Sequence, residues 1–184
     1  MTARQAVVLI GLLVLAARPA PAAAQELLAL HVVQTTSAIA PVEGRSPQNT
    51  AFVDACPVAG FWINAGWWID GIQVVCGGGG APPWRGGTGG TRHGFSLAPG
   101  ERIVAISGLA GGNSGTHLYA LQIHTDQRST PVYGNQGAAQ GDPGRMPFRL
   151  DVPHGYTLVG IQGRTSQYLL SIGLVVAGPE AGGR

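Results

Sequence analysis

Lysine is absent from this chain, and charged residues of every kind make up only 11% of it. The eleven basic residues are all arginine, against nine Asp plus Glu. Arg4 and Arg18 fall within residues 1–24, which hold no acid. Eleven minus two leaves nine arginines against nine acids, so the remainder is neutral when its histidines are uncharged. That balance gives no electrostatic basis for binding nucleic acid or an anionic membrane surface. Cysteine is nearly absent as well: Cys56 and Cys76 are the only two, and without nearby His partners they do not form a zinc site. His31, His93, His117, His124 and His154 are scattered, with no metal-ligand pair on one element. The run Gly77-Gly78-Gly79-Gly80 lacks the lysine of a phosphate-binding loop and reads as a connection. Beyond the N-terminus no apolar run is long enough to cross a bilayer. Neither a metal nor a cofactor is expected.

The N-terminus reads as a secretory signal over residues 1–24. Arg4 lies in a short basic region, residues 6–17 are apolar, and Ala22-Ala23-Ala24 offers small residues for cleavage. The mature chain would then begin at Gln25 and be secreted, extracellular or periplasmic; an uncleaved anchor is the alternative. Export favours a disulfide between Cys56 and Cys76. It would close a loop around the hairpin at Gly66–Asp70, worth about 3 kcal/mol in the chain-entropy model.

Glycine is what the chain has in abundance, 30 residues, with 13 prolines and a 45% hydrophobic content. So many turn formers among so much apolar sequence predict many short strands rather than disorder. From Ala51 onward the chain is periodic. Phe52-Val53-Asp54, Phe95-Ser96-Leu97 and Phe148-Arg149-Leu150 each open a block, followed by a Pro/Gly turn and a short apolar strand. Each block then carries a hairpin motif: Gly66-Trp67-Trp68-Ile69-Asp70, Gly115-Thr116-His117-Leu118-Tyr119, and Ser166-Gln167-Tyr168-Leu169-Leu170. Alternation of period two dominates these runs. Three such units, each with one apolar face, would bury those faces together on a shared axis. The organisation predicted is a signal over 1–24, a strand or linker over 25–50, one β domain over 51–178 and a tail over 179–184.

Several stretches resemble the jacalin-related lectins. They are residues 63–73 around Gly66-Trp67-Trp68-Ile69-Asp70, then Gly86-Gly87-Thr88-Gly89-Gly90, then Phe95-Ser96-Leu97 with Pro99-Gly100-Glu101, then Tyr133-Gly134, then Gly163-Arg164-Thr165 running to Gly173. The resemblance spans about residues 58–177. It implies an all-β fold, a β-prism of three four-stranded Greek-key sheets with pseudo-threefold symmetry. It also implies non-catalytic binding of mannose/glucose- or galactose-type glycans between a G-x-x-x-D turn and a GG loop. The family's commonest site uses the C-terminal turn, but here Ser166 replaces the glycine and Leu170 the acid. Tyr119 replaces the acid in the middle copy. A second family site pairs the first turn with the middle GG loop. It maps onto Gly66, Trp67, Trp68, Ile69, Asp70, Gly86 and Gly87, all intact.

These residue types suit a sugar. An ionised Asp70 can accept from two adjacent hydroxyls, and charged acceptors make the stronger hydrogen bonds. The backbone N–H groups of Trp67, Trp68 and Ile69 offer donors to the same hydroxyls. Gly66 would permit dihedrals closed to other residues. Trp67, Trp68 or Trp84 could cover a C–H face. Hydrogen bonds worth about 1 kcal/mol each, set against rigid-body entropy, put a monosaccharide Kd on the order of 0.1–10 mM. Useful binding then needs a homo-oligomer or a longer glycan.

Other readings stand beside this one. Asp70 could instead cap a turn through its own backbone, and one of Trp67 and Trp68 could be core. The fold could serve as a protein-interaction or surface-structural module that has lost sugar binding. Gly111-Gly112-Asn113-Ser114 resembles a serine-nucleophile loop, and Glu101 with Asp70 would make a carboxylate pair for glycoside hydrolysis. Nothing in the sequence places either with a catalytic partner.

Overall fold

The computed structural model describes residues 50–111, 117–135 and 145–178. The expected signal over residues 1–24, the 25–49 segment, Ser114 and the expected tail over 179–184 all lie outside them. Eleven strands and no helix occupy the described residues: β1 (Thr50–Ala55), β2 (Val58–Ala65), β3 (Ile69–Cys76), β4 (Arg85–Gly86), β5 (Thr91–Ser96), β6 (Ile103–Gly111), β7 (His117–Thr125), β8 (Tyr133–Gly134), β9 (Arg145–Asp151), β10 (Thr157–Thr165) and β11 (Leu169–Ala177). They form three antiparallel sheets in the orders β4-β3-β2-β5, β8-β7-β6-β9 and β1-β10-β11. Two sheets are four-stranded as expected. The third has three strands among the described residues.

Alternation along the strands explains the shape. In β2, Phe61, Ile63 and Ala65 are buried while Trp62 between them is exposed. Ile69, Leu118 and Leu169 occupy the same position in the three motif copies, and each is wholly buried. With Ile72, Leu121 and Ile172 they join the single core enclosed by the three sheets. Burying such a side chain contributes roughly 1.5–3 kcal/mol. These residues bring the first residues of β3, β7 and β11 side by side, where Trp68, His117 and Tyr168 meet.

The block boundaries differ from the sequence reading. Phe95 on β5 and Phe148 on β9 do not open the sheets that follow them. Instead β5 pairs with β2 and β9 with β6, closing the sheet begun by the preceding hairpin. β1 takes the same place beside β10, so the start of the described chain completes the last unit. Period-two patterning specifies which face a residue lies on, not which neighbour its strand takes.

The expected disulfide is present. Cys56 and Cys76 are bonded with their Cα atoms 5.7 Å apart, at the base of the β2–β3 hairpin and opposite its turn. The double variant Cys56→Ser/Cys76→Ser is expected to lose about 3 kcal/mol of folding free energy, measured by urea unfolding.

Candidate functional site

The turn between β2 and β3 is Gly66-Trp67-Trp68. The Gly66 N–H donates to the Trp68 carbonyl at 2.9 Å, and strand pairing resumes between Ala65 and Ile69 across a register shift. The third copy repeats this closure, with the Ser166 N–H donating to the Tyr168 carbonyl at 2.9 Å. A serine thus makes the same turn, and Gly66 is not among the glycines of positive φ. Its conformational role is therefore corrected: Gly66 supplies space, not unusual dihedrals. A methyl there would lie 3.4 Å from Gly90 Cα and 3.8 Å from Asp70 Oδ2.

The two indoles divide the available roles. Trp67 is 60% exposed at the tip of the turn. Trp68 is half-buried and packs on Tyr168 at 4.8 Å and His117 at 5.7 Å between ring centroids. These three aromatics hold the same place in their motif copies, so Trp68 belongs to a ring cluster where the hairpins meet. Ile69 is core.

Asp70 is half-buried. Of the acids in the described residues, Asp54, Glu101, Asp126 and Asp151 each pair with an arginine, and no ion pair involves Asp70. Burial raises its pKa above the ordinary value, partly offset by its own backbone amide. A carboxylate held in a desolvated place without a cation is an arrangement frequent at functional sites.

The glycine loop does approach Asp70, but its two glycine pairs act differently. Gly86 and Gly87 meet the main chain of Asp70. Gly86 pairs with Gly71, and the Gly87 N–H donates to the Asp70 carbonyl at 2.7 Å. Gly87 also abuts the carbonyl of Gln167, and its own carbonyl accepts from Trp84 Nε1 at 2.7 Å. The carboxylate itself is flanked by the second pair. A methyl at Gly89 would come within 2.6 Å of Asp70 Oδ1, and one at Gly90 within 2.7 Å of Oδ2. Gly90 also has φ +69°, which disfavours any other residue. Gly89 and Gly90 carry the closer contact; the doubled glycines in Gly86-Gly87-Thr88-Gly89-Gly90 were the available signal.

The other motif copies cannot do the same. Tyr119, in the acid's place, is 1% exposed beneath the Arg145 guanidinium at 3.9 Å. Leu170 is buried too. The Glu101 carboxylate accepts from Arg128, Thr125 and the Ala98 amide, which hold its pKa down to about 2. It also lies at the far end of the sheet. Asp70 is near the Ala65–Thr91 pair and Glu101 follows the Gly60–Ser96 pair, five register steps or about 17 Å away. The two do not form a catalytic pair. Among the described residues no group of three or more His, Cys, Asp or Glu comes together to hold a metal. No helix there is long and apolar enough to cross a membrane.

The family model described as "Jacalin-like lectin domain" matches residues 40–175. The chain belongs to the jacalin-like lectin domain family. Structural likeness agrees: Malaysian banana lectin is 25% identical with a TM-score of 0.61, over 80% of this chain and 97% of that one. AcmJRL, a mannose-binding jacalin-related lectin from Ananas comosus, is 20% identical with a TM-score of 0.61, covering 79% and 99%. Frutapin from Artocarpus incisa is 22% identical with a TM-score of 0.62, covering 79% and 98%. No curated protein sequence matches. The three-sheet architecture is thus the β-prism of the jacalin-like lectin domain. In this member the first hairpin alone carries an acid at the motif's last position.

Proposed function

We propose that this jacalin-like lectin domain binds glycans, without turnover, at Asp70. Asp70 is the one described carboxylate without an arginine, and the glycine backbone at Gly89 and Gly90 lies so close to it that a methyl at either would meet its oxygens. In this reading its two oxygens accept from adjacent hydroxyls of a mannose/glucose- or galactose-type sugar, and Trp67 offers an exposed ring to the C–H face. Mannose binding by the Ananas comosus relative is compatible with it. Screening the mature chain on a glycan array tests the reading. No signal on any neutral glycan leaves the alternative of a prism without sugar binding.

Gly89→Ala gives a sharper check. Its methyl would stand against Asp70 Oδ1, displacing the carboxylate or the loop. Expected is a loss of about tenfold or more in glycan affinity, roughly one charged hydrogen bond, by titration calorimetry.

Export of the mature chain from Gln25 is part of the same proposal. N-terminal sequencing of protein recovered outside the cytoplasm tests it, and a retained Met1 would count against cleavage.

A further inference from the structure

A second unusual charge stands two residues beyond the glycine loop that flanks Asp70. Arg85, Arg102, Arg128 and Arg149 each pair with an acid. Arg92 instead lies between two indoles, with Cζ 4.8 Å from the Trp84 ring centroid and 5.7 Å from that of Trp62. The sequence brackets the loop with this stack: Trp84 stands two residues before Gly86, and Arg92 two after Gly90. The Arg92 backbone is therefore within about 7 Å of that of Gly90, where an added methyl would meet Asp70 Oδ2.

The outer face of the β4-β3-β2-β5 sheet is shaped for this row. A methyl at Gly94 would come 2.7 Å from the Trp62 ring, and one at Gly71 would come 2.5 Å from Trp84 Nε1. Both indoles lie close over strand glycines. Trp62 remains 43% exposed. Between them in register, Asn64 stands opposite Gly71 on one side and Arg92 on the other. Asn64 is only 6% exposed, and its Oδ1 has no hydrogen-bond partner among the described residues. A buried acceptor left unpaired is costly and uncommon. Here it lies in register with a cation that no described acid holds.

From this face we infer that the glycan bound at Asp70 is acidic, with a carboxylate- or sulfate-bearing unit that Arg92 meets next to the neutral unit gripped by Asp70. The inference rests on the Asp70 reading. Charge sets the order of the units: an anion at Asp70 would meet a like charge, whereas Arg92 offers a guanidinium fork suited to a carboxylate or sulfate. Trp62 supplies a flat ring for the acidic unit's C–H face.

The test compares matched probes by titration calorimetry: glucuronosyl-mannose against glucosyl-mannose, and 3′-sulfolactose against lactose. The acidic member of at least one pair is expected to bind about tenfold more tightly, by a margin that shrinks with added salt. Arg92→Gln should bring the pair to equal affinity. Trp62→Ala, which leaves the Trp84–Arg92 contact in place, should weaken the acidic disaccharide and spare the monosaccharide. Equal affinity within both pairs, no binding of any of the four, or a preference that persists in Arg92→Gln overturns the inference. Asp70→Asn separates the two readings. If it removes neutral binding while no acidic preference exists, only the Arg92 inference fails. If acidic binding survives it, the Asp70 reading fails instead.

Discussion

Asp70→Asn is expected to abolish measurable glycan binding while leaving the fold at least as stable as the parent at pH 7. The binding loss follows from hydrogen-bond strength. Bonds to a charged acceptor are worth about 1.5–3 kcal/mol each, and two of them account for most of the affinity of a millimolar site. An amide keeps one acceptor oxygen and adds a donor, so it cannot accept from two neighbouring hydroxyls as a carboxylate does. The stability expectation follows from the pKa. Burial raises the folded-state pKa of Asp70 above its ordinary value, so the folded protein holds the proton more tightly than the unfolded chain. Stability from this group therefore falls as pH rises from the ordinary carboxylate pKa through the raised one, and the cost is fully present above the raised one. Asparagine removes that cost. A carboxylate serving only to cap the turn would behave in the opposite way, and its replacement would lower Tm. Thermal unfolding beside calorimetric titration distinguishes the two. Binding needs the ionised form, so affinity should decline on acidification at a higher pH than for an ordinary exposed aspartate.

Much of this architecture is legible in the residues alone. The alternation in Phe61-Trp62-Ile63 and the threefold spacing of the motif identify the strands and their common core. The expectation of export, with two cysteines in the chain, identifies the Cys56–Cys76 pair. What escapes is whatever depends on three-dimensional neighbours. Period-two patterning assigns Phe95 to a buried face whether its strand joins β2 or β6, and only the sheet shows that it joins β2. Gly86 and Gly87 match the family's loop, yet Gly89 and Gly90 flank the carboxylate, because β4 ends at Gly86 and the chain must pass the Asp70 side chain to reach β5. The division between Trp67 and Trp68 depends on Tyr168, one hundred residues after Trp68. Arg92 carries no signal at all in the sequence. Its meaning comes from Trp62 and Trp84, which meet it only across the pleat of the sheet.

The loop is positioned from behind by a charge pair that the sequence did not announce, and removing either partner should have unequal effects. Arg85 on β4 reaches across to β1, where Nε and Nη2 donate to Asp54 Oδ2 and Oδ1 at 2.9 and 2.6 Å, while its guanidinium lies 5.3 Å from the Phe52 ring centroid. The pair thereby links the first sheet to the last, one residue before Gly86. The Asp54 side chain is 3% exposed and that of Arg85 24%. Arg85→Met strands a carboxylate that water barely reaches, and should cost toward the upper end of about 3–5 kcal/mol. Asp54→Leu leaves a guanidinium that can turn partly to solvent, and should cost nearer the lower end of about 3–5 kcal/mol. The double variant Asp54→Leu/Arg85→Met should recover most of the loss, because two apolar groups leave no charge unpaired. Urea unfolding of the four proteins measures this cycle, and additive losses would show that the pair contributes no coupling. Glycan affinity provides a separate readout. β4 carries Gly86 into the turn beside Asp70, so Arg85→Met should weaken binding even where the protein remains folded. Asp54→Leu should do so less, since Arg85 retains its contact with Phe52.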